Sequence, residues 1–140
     1  MLYQRYLIIE NYKYSEITNL IIRAFYNVYN NLGYGFLEKV YENALIIELR
    51  KLSLKCTKQH PISVFYDDKI VGEYFADIIV ENCVILELKA AECLCVEHEC
   101  QLVNYLKASD IEVGLLLNFG RKPEFKRKVL TSEYKDYKVS

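Results

Sequence analysis

The chain has 140 residues, of which 52% are hydrophobic and 26% are charged, and this composition is typical of one folded globular domain. Eighteen basic and nineteen acidic residues leave a formal net charge of −1, which excludes a broad positive field for attracting nucleic acid. The sequence lacks an 18-residue apolar run and the start of a signal peptide. We therefore expect a single cytoplasmic domain over residues 1–140, with no membrane segment.

The five cysteines are an odd number and do not form a disulfide framework. Three of them, Cys93, Cys95 and Cys100, lie close in sequence, and a metal or iron–sulfur site is the alternative role for them. That spacing lacks a paired C-x-x-C knuckle. We expect all five, including Cys56 and Cys83, to be free thiols that pack as small hydrophobic residues.

The first predicted helix is amphipathic and follows an apolar N-terminal arm. Residues 1–14 are too apolar to extend freely into solvent, so we expect them to pack against the domain. Ser15 is a good N-cap, and apolar residues then recur at three- and four-residue spacing from Ile17 to Leu32. Gly33 is expected to end this helix.

A second helix is predicted to begin near Phe36, after the glycine hinge at 33–35. Its expected buried stripe consists of Leu37, Val40, Tyr41, Ala44, Leu45, Leu49 and Leu52. Glu38 lies at the edge of that stripe, in the first turn. It either complements the helix dipole or points into a functional site, and the spacing does not decide between the two.

From Cys56 the hydrophobic period changes to two, which predicts β-structure. The first strand includes residues 62–66 and the turn covers 67–69; the second strand runs over 71–80 and the third over 83–89, joined by a turn at 81–82. Alternate side chains of a strand point the same way, so Glu87 and Lys89 share a face.

Asp77, Glu87 and Lys89 are charged residues inside apolar strands. A charged side chain in such a run loses hydration and is tolerated only if it is paired or binds a cation. These residues therefore form either a plain cross-strand ion pair at the rim of a sheet or a site that uses their charge.

A register condition follows if Asp77 and Glu87 belong to one site. A two-residue turn at 81–82 would place Asp77 opposite Leu86 and leave Glu87 on the other face of the sheet. We therefore predict that this turn contains an odd number of residues, or that a bulge shifts the register.

A third helix is predicted over 96–109, where His98, Gln101 and Tyr105 form a polar stripe beside the apolar one. The continuous apolar run 113–117 predicts a central strand that is covered on both faces. An edge strand is predicted within 121–130, and its basic residues are Arg121, Lys122, Lys126, Arg127 and Lys128. These either contact phosphates or guard a solvated sheet edge.

Two carboxylates are enough to hold Mg²⁺ when waters and substrate phosphate oxygens complete its ligands. Asp77 and Glu87 suit that role, with Mn²⁺ as the substitute ion. Such a metal polarises a phosphorus centre and lowers the pKa of an attacking water. Lys89 would orient that water or stabilise negative charge as it develops on the phosphate. Glu38 would join through the metal or its water shell, and Gln101 would hydrogen-bond a water or the phosphate.

At these residues the chain resembles the PD-(D/E)XK nuclease superfamily, through Asp77 and Glu87-x-Lys89. It is similar more narrowly to the GxxExxY proteins, because Gly35-Phe36-Leu37-Glu38-Lys39-Val40-Tyr41 fits that signature. The resemblance continues through segments 61–62, 71–74, 76–77, 87–90, 98–102, 104–108 and 118–120, so it spans roughly residues 15–130. The first acid follows Ala76 where the superfamily pattern has a proline, and cysteines occupy part of 91–100.

The resemblance implies an α/β fold with a restriction-endonuclease-like core, in which a mixed β-sheet is flanked by helices in the order ααβββαβ, with an extra edge strand as an option. It implies metal ligands at Asp77 and Glu87, with Lys89, Glu38 and Gln101 as the catalytic residues. The supporting residues of the same motifs are Gly35, Tyr41, His98 and Tyr105.

The expected function is that of a divalent-metal-dependent nuclease that hydrolyses phosphodiester bonds in DNA or RNA. Two alternatives stay open: an inactive nuclease-fold module that binds nucleic acid or a partner protein, and an interaction protein whose polar face is purely structural. A chain of this length has little extra surface for sequence readout. A homodimer or a partner protein would supply it, and the sequence does not establish either.

Overall fold

The computed structural model describes residues 14–135, so the predicted N-terminal arm lies outside the described residues except for Tyr14. The elements in chain order are α1 (Ser15–Leu32), α2 (Glu38–Lys51), β1 (Cys56–Tyr66), β2 (Lys69–Val80), β3 (Val84–Lys89), α3 (Val96–Lys107), β4 (Val113–Phe119), β5 (Pro123–Val129) and a short 3₁₀ helix (Ser132–Tyr134). The predicted order of helices and strands is confirmed, and the extra edge strand is present as β5.

The five strands form one mixed sheet in the order β1-β2-β3-β4-β5. β3 and β4 are parallel and are connected by a crossover through α3, whereas the other neighbouring pairs are antiparallel. Every residue of β4 is buried, which confirms the prediction of a central strand covered on both faces.

Helices cover both faces of the sheet. α1 and α2 bury an apolar cluster on one face, in which the Phe25 and Phe119 ring centroids are 4.8 Å apart and the Tyr41 ring stacks on Phe119 at 4.4 Å. On the other face, Leu102 and Leu106 of α3 pack in a second cluster. The sheet therefore lies in the middle layer of three.

The turn between β2 and β3 meets the predicted register condition. Val80 pairs with Val84, so Glu81, Asn82 and Cys83 form a three-residue turn. Glu81 and Asn82 both have left-handed backbone angles, with φ of 52° and 55°. An odd number of turn residues leaves Asp77 and Glu87 on the same face, as predicted.

Three details of the helices differ from the sequence-based expectation. Ser15 is the first helical residue and not the N-cap; Tyr14 occupies the N-cap position with a left-handed φ of 55°. α2 begins at Glu38 and not near Phe36, because the chain is still extended at Leu37, which has a ψ of 153°. Leu37 and Val40, predicted in the buried stripe, are exposed at the start of α2. Gly33 ends α1 as predicted, and its N–H donates to the Tyr29 carbonyl at 2.7 Å.

All five cysteines are free, as expected. Cys93 and Cys100 are exposed, however, so packing as small hydrophobic residues is wrong for these two. Cys93 lies in the loop after β3, and Cys100 lies on α3. Within residues 14–135 no helix is long and apolar enough to cross a membrane.

Candidate active site

The site is built where β2 and β3 separate. Backbone pairing between these strands ends at Ile78 and Leu86. Beyond that point the backbone N–H groups donate to carboxylates. The Leu88 N–H donates to Asp77 Oδ2 at 2.8 Å, and the Asp77 N–H donates to Glu87 Oε1 at 3.2 Å. Each carboxylate is therefore held by the backbone of the opposite strand and keeps a second oxygen to offer a ligand.

β1 contributes Gln59 to the same place. Gln59 has a left-handed φ of 49° and lies where the pairing of β1 with β2 is interrupted. Its Nε2 donates to Glu42 Oε1 at 2.9 Å, and Gln59 and Asp77 line one cavity. Gln59 thus connects β1 to α2 beside the acid on β2.

α2 brings two more acids to the site. Glu38 begins the helix and is exposed, whereas Glu42, one turn later, is only 4% exposed and also pairs with Lys39 at 2.7 Å. A cavity of about 170 Å³ lies beside these acids, and it is lined by Glu38, Lys39, Glu42, Gln59, Asp77 and Leu88. Glu42 was missed from the sequence, although its position four residues after Glu38 places both acids on one helix face.

α3 supplies the polar groups on the other side of Lys89. Lys89 Nζ donates to Gln101 Oε1 at 3.3 Å, and Gln101 Nε2 donates to the Tyr105 hydroxyl at 2.9 Å. His98, the third residue of the predicted polar stripe, has a different contact. Its Nδ1 accepts the Cys95 N–H at 3.3 Å, so it caps the start of α3.

Gly35 and Tyr41 shape the loop that leads to Glu38. The Tyr41 hydroxyl donates to the Gly33 carbonyl at 2.7 Å and accepts the Phe36 N–H at 3.2 Å. Gly35 has a φ of 109°, which side-chain-bearing residues rarely adopt. These two residues therefore fix the backbone that places Glu38 at the mouth of the cavity.

The loop after Lys89 is fixed by β4 and β5. Asn118 is fully buried, and its side-chain amide accepts the Ala91 N–H at 2.9 Å and donates to the Ala91 carbonyl at 3.0 Å. Glu124 accepts the Leu94 N–H at 3.0 Å. A Cβ on Gly120 would lie 2.1 Å from the Ala91 carbonyl oxygen, so only glycine fits there. The signal for Asn118 was a polar residue ending a continuous apolar run.

Burial and like charge raise the pKa values of the central acids. Burial first, and then the neighbouring Asp77, raise the pKa of Glu87 from 4.5 to about 8. Burial also raises the pKa of Asp77; its hydrogen bond from Leu88 opposes this rise, and the nearby Glu42 adds to it. Loss of hydration is therefore the main reason that the ionised forms of these two acids are unfavourable, and Lys89 compensates only in part.

The donor set fits a hard divalent cation that is shared with a substrate. Oxygen ligands and an excess of negative charge favour Mg²⁺ or Mn²⁺. Among residues 14–135, no group of three or more His, Cys, Asp or Glu side chains is arranged to hold a metal ion. Two carboxylates completed by waters and phosphate oxygens are also enough for such an ion, and the Asp77 and Glu87 side chains are suited to that role.

The basic residues of 121–128 do not form one surface. Arg121 and Lys122 are exposed before β5, and Arg121 lies 3.8 Å from the exposed Glu92. Within β5, Arg127 shares a face with core-packed residues, whereas Lys126 and Lys128 point to the α3 face. Lys128 Nζ pairs with Glu99 at 2.7 Å.

A mixed sheet flanked by helices, with two carboxylates and a lysine where two strands separate, defines a restriction-endonuclease-like domain. A family model described as the PD-(D/E)XK nuclease superfamily matches residues 15–128, and the chain belongs to that superfamily. Among solved structures, the crystal structure of SSO0001 is similar, with a TM-score of 0.54 and 16% identity. The similarity covers 66% of this chain and 50% of that protein, and it shows the fold alone. No curated protein matches the chain.

Proposed function

We propose that the protein is a divalent-metal-dependent nuclease that hydrolyses phosphodiester bonds in DNA or RNA. The observation that supports this most directly is the opposed pair Asp77 and Glu87, held by reciprocal backbone hydrogen bonds with the pKa of both carboxyls raised. Two like charges on opposed residues, one buried and one partly buried, are costly unless a cation or protons neutralise them. Membership of a nuclease superfamily supports a role for that cation in phosphodiester hydrolysis.

Asp77 and Glu87 would hold Mg²⁺, which when bound polarises the phosphorus centre and lowers the pKa of an attacking water. Lys89 places a compact positive charge beside these acids, suited to stabilising negative charge on the phosphate. The Gln101 side chain, itself hydrogen-bonded to Tyr105, holds the Lys89 ammonium in position. Glu38, exposed at the mouth, is suited to accept a hydrogen bond from a water of the metal's shell.

Four finer assignments belong to the same proposal. The chain is a GxxExxY protein, because Gly35, Glu38 and Tyr41 fit that signature and have the structural roles described above. Residues 1–140 form one domain, and its location is the cytoplasm, which agrees with five free thiols. A homodimer would extend the small surface available to a nucleic acid.

The test is cleavage of labelled DNA and RNA oligonucleotides with Mg²⁺, Mn²⁺ or chelator. Asp77→Ala and Lys89→Ala should both abolish metal-dependent cleavage while the circular dichroism spectrum stays native. Glu73→Ala and Lys69→Ala are matched controls, because they remove exposed charges of the same strand, β2, and should cleave normally. Cleavage that persists in Asp77→Ala would refute the proposal.

A nuclease fold that binds nucleic acid without turnover is the second candidate. It is motivated by the small size and near-neutral charge of the chain, which has 140 residues and a formal net charge of −1. Binding that Asp77→Ala leaves unchanged, with no cleavage in any metal, would establish that function and exclude the first.

A further inference from the structure

A groove of about 610 Å³ lies beside the candidate active site, between the β1–β2 hairpin and α3. Val64 and Tyr74 line it from the hairpin, and Val96 lines it from the start of α3. Gln101 and Tyr105 belong to both places, because they line the groove and form the hydrogen-bond chain to Lys89. The groove is therefore continuous with the site.

Two tyrosine rings form the most substantial part of the groove wall. The centroids of Tyr74 and Tyr105 are 5.7 Å apart with the rings tilted by 44°. Tyr105 is almost fully buried, whereas Tyr74 is 49% exposed and presents part of its ring to solvent. An exposed aromatic ring supported by a buried one is a rigid platform for a flat ligand.

The rim of the groove is polar without a net charge. Lys107 and Glu97 supply one positive and one negative group, and Asn104 supplies an exposed side-chain amide. A channel that follows a phosphate backbone would be lined with basic residues. This groove instead suits a neutral aromatic ring whose edge can form hydrogen bonds.

We propose that the groove binds an unpaired base of the nucleic acid whose phosphate lies at Asp77, Glu87 and Lys89, an inference that rests on the proposed function. Tyr74 stacks on the base, and Asn104 hydrogen-bonds its edge. The substrate class is then single-stranded DNA or RNA, or a duplex with a flap or an extruded nucleotide.

Two physical arguments favour an unpaired base over an intact duplex. The faces of a base inside a duplex are covered by its neighbours, so it cannot stack on Tyr74 without leaving the helix. The formal net charge of −1 also gives little general attraction for duplex phosphates, so the affinity must come from a local contact such as stacking.

The test compares binding of a fluorescent single-stranded oligonucleotide, as DNA and as RNA, with binding of the blunt duplex of the same sequence. Fluorescence anisotropy is measured in chelator, so that no strand is cleaved. The variants are Tyr74→Ala, which removes the ring, and Tyr74→Phe, which keeps it. Tyr66→Ala is the matched control, because Tyr66 is a 69% exposed tyrosine of the same hairpin outside the groove.

We expect the single strand to bind at least about tenfold more tightly than the duplex. Tyr74→Ala should weaken single-strand binding by roughly five- to a hundredfold, the range for loss of one stacking contact, and should leave duplex binding unchanged. Tyr74→Phe and Tyr66→Ala should stay within about twofold of the wild type. A 2-aminopurine at the bound position should lose fluorescence in the wild type and regain it in Tyr74→Ala.

Three outcomes would overturn the proposal: equal affinity for single strand and duplex, no effect of Tyr74→Ala, or a dimer that Tyr74→Ala dissociates without any single-strand preference. The last would assign the groove to a second copy of the chain. The result is separable from the proposed function. Cleavage at the same rate in wild type and Tyr74→Ala would refute only the proposal that the groove binds a base. Single-strand binding that depends on Tyr74, without cleavage in any metal, would refute only the nuclease activity.

Discussion

The acid site at Asp77 and Glu87 and the basic segment at 121–128 are two charged regions of the chain, and they differ in how they are packed. The acids lie in the interior of the sheet, where Glu87 is 4% exposed and both carboxylates accept backbone N–H groups. The basic side chains lie on or before the edge strand and alternate between its two faces. Lys128 pairs with Glu99 of α3.

Charged side chains that converge and are buried therefore indicate a reactive site better than a large number of charges does. Like charges forced together without water have altered pKa values, which a cation or substrate can exploit. Alternating charges on an edge strand keep their hydration and protect the edge from pairing with another chain. β5 still matters to the site indirectly, because Glu124 holds the loop that follows Lys89.

The largest expected effect is at Asp77, where two variants separate charge from structure. Asp77→Asn keeps an acceptor for the Leu88 N–H, whereas Asp77→Ala leaves that group without a partner. If the proposed function holds, both should lower metal-dependent cleavage by about a hundredfold or more, because each removes a proposed metal ligand. Only the alanine variant should lose unfolding free energy, by about 1–3 kcal/mol in urea denaturation. Equal stability of the two variants would show that the Leu88 hydrogen bond does not position the acid.

Gly120→Ala tests whether the loop after Lys89 depends on close packing against β4 and β5. The new Cβ would lie 2.1 Å from the Ala91 carbonyl oxygen, so the backbone must move. We expect a loss of about 1–3 kcal/mol in unfolding free energy, together with weaker cleavage as the loop shifts. Gly72→Ala is the control, because its nearest contact would be an ordinary 3.5 Å to the Tyr74 side chain. Similar stability losses in both variants would argue against a special role for Gly120.

Glu87→Gln tests whether the raised pKa of the buried Glu87 makes the stability of the protein depend on pH. The pKa of Glu87 rises from 4.5 to about 8 on folding, so the metal-free folded protein binds more protons than the unfolded chain between these values. The stability that this proton provides is complete below the unfolded pKa and is lost as pH rises to about 8.

Urea denaturation of the metal-free wild type should therefore show falling stability over this pH range, and Glu87→Gln should flatten the curve. At the alkaline end the variant should be more stable than the wild type by roughly 4–5 kcal/mol, because a pKa rise from 4.5 to about 8 corresponds to that free energy. Added Mg²⁺ should stabilise the wild type and not the variant. A wild-type curve that rises with pH would contradict the assignment.

The smallest effect is expected at the basic edge. Lys128→Ala removes a partly exposed ion pair with Glu99 and should change the unfolding free energy by less than about 1 kcal/mol. Addition of salt should reduce even that difference. A loss comparable to that of Asp77→Ala would mean that the edge charges are as tightly integrated as the acids.

Several residues show where prediction from sequence stopped. Leu37 and Val40 fit the apolar stripe of α2 by spacing but are exposed, because Leu37 precedes the helix and Val40 lies in its first turn, at the exposed end of the stripe. Glu42 is buried in the site because Lys39 and Gln59 bind its two oxygens, and Gln59 lies on β1, 17 residues further along the chain. Spacing along one helix contains no information about such a partner.

The order of the elements, the covered position of β4 and the shared face of Asp77 and Glu87 could be predicted from the sequence. This was possible because hydrophobic periodicity and the cost of burying charge act locally along the chain. Three features required the tertiary structure. The Asp77 and Glu87 carboxylates each accept a backbone N–H from the opposite strand, and Asn118 and Gly120 pack against the loop after Lys89. Tyr74 and Gln101 line one groove. Those contacts join residues far apart in the chain, and their geometry depends on how the strands and helices pack.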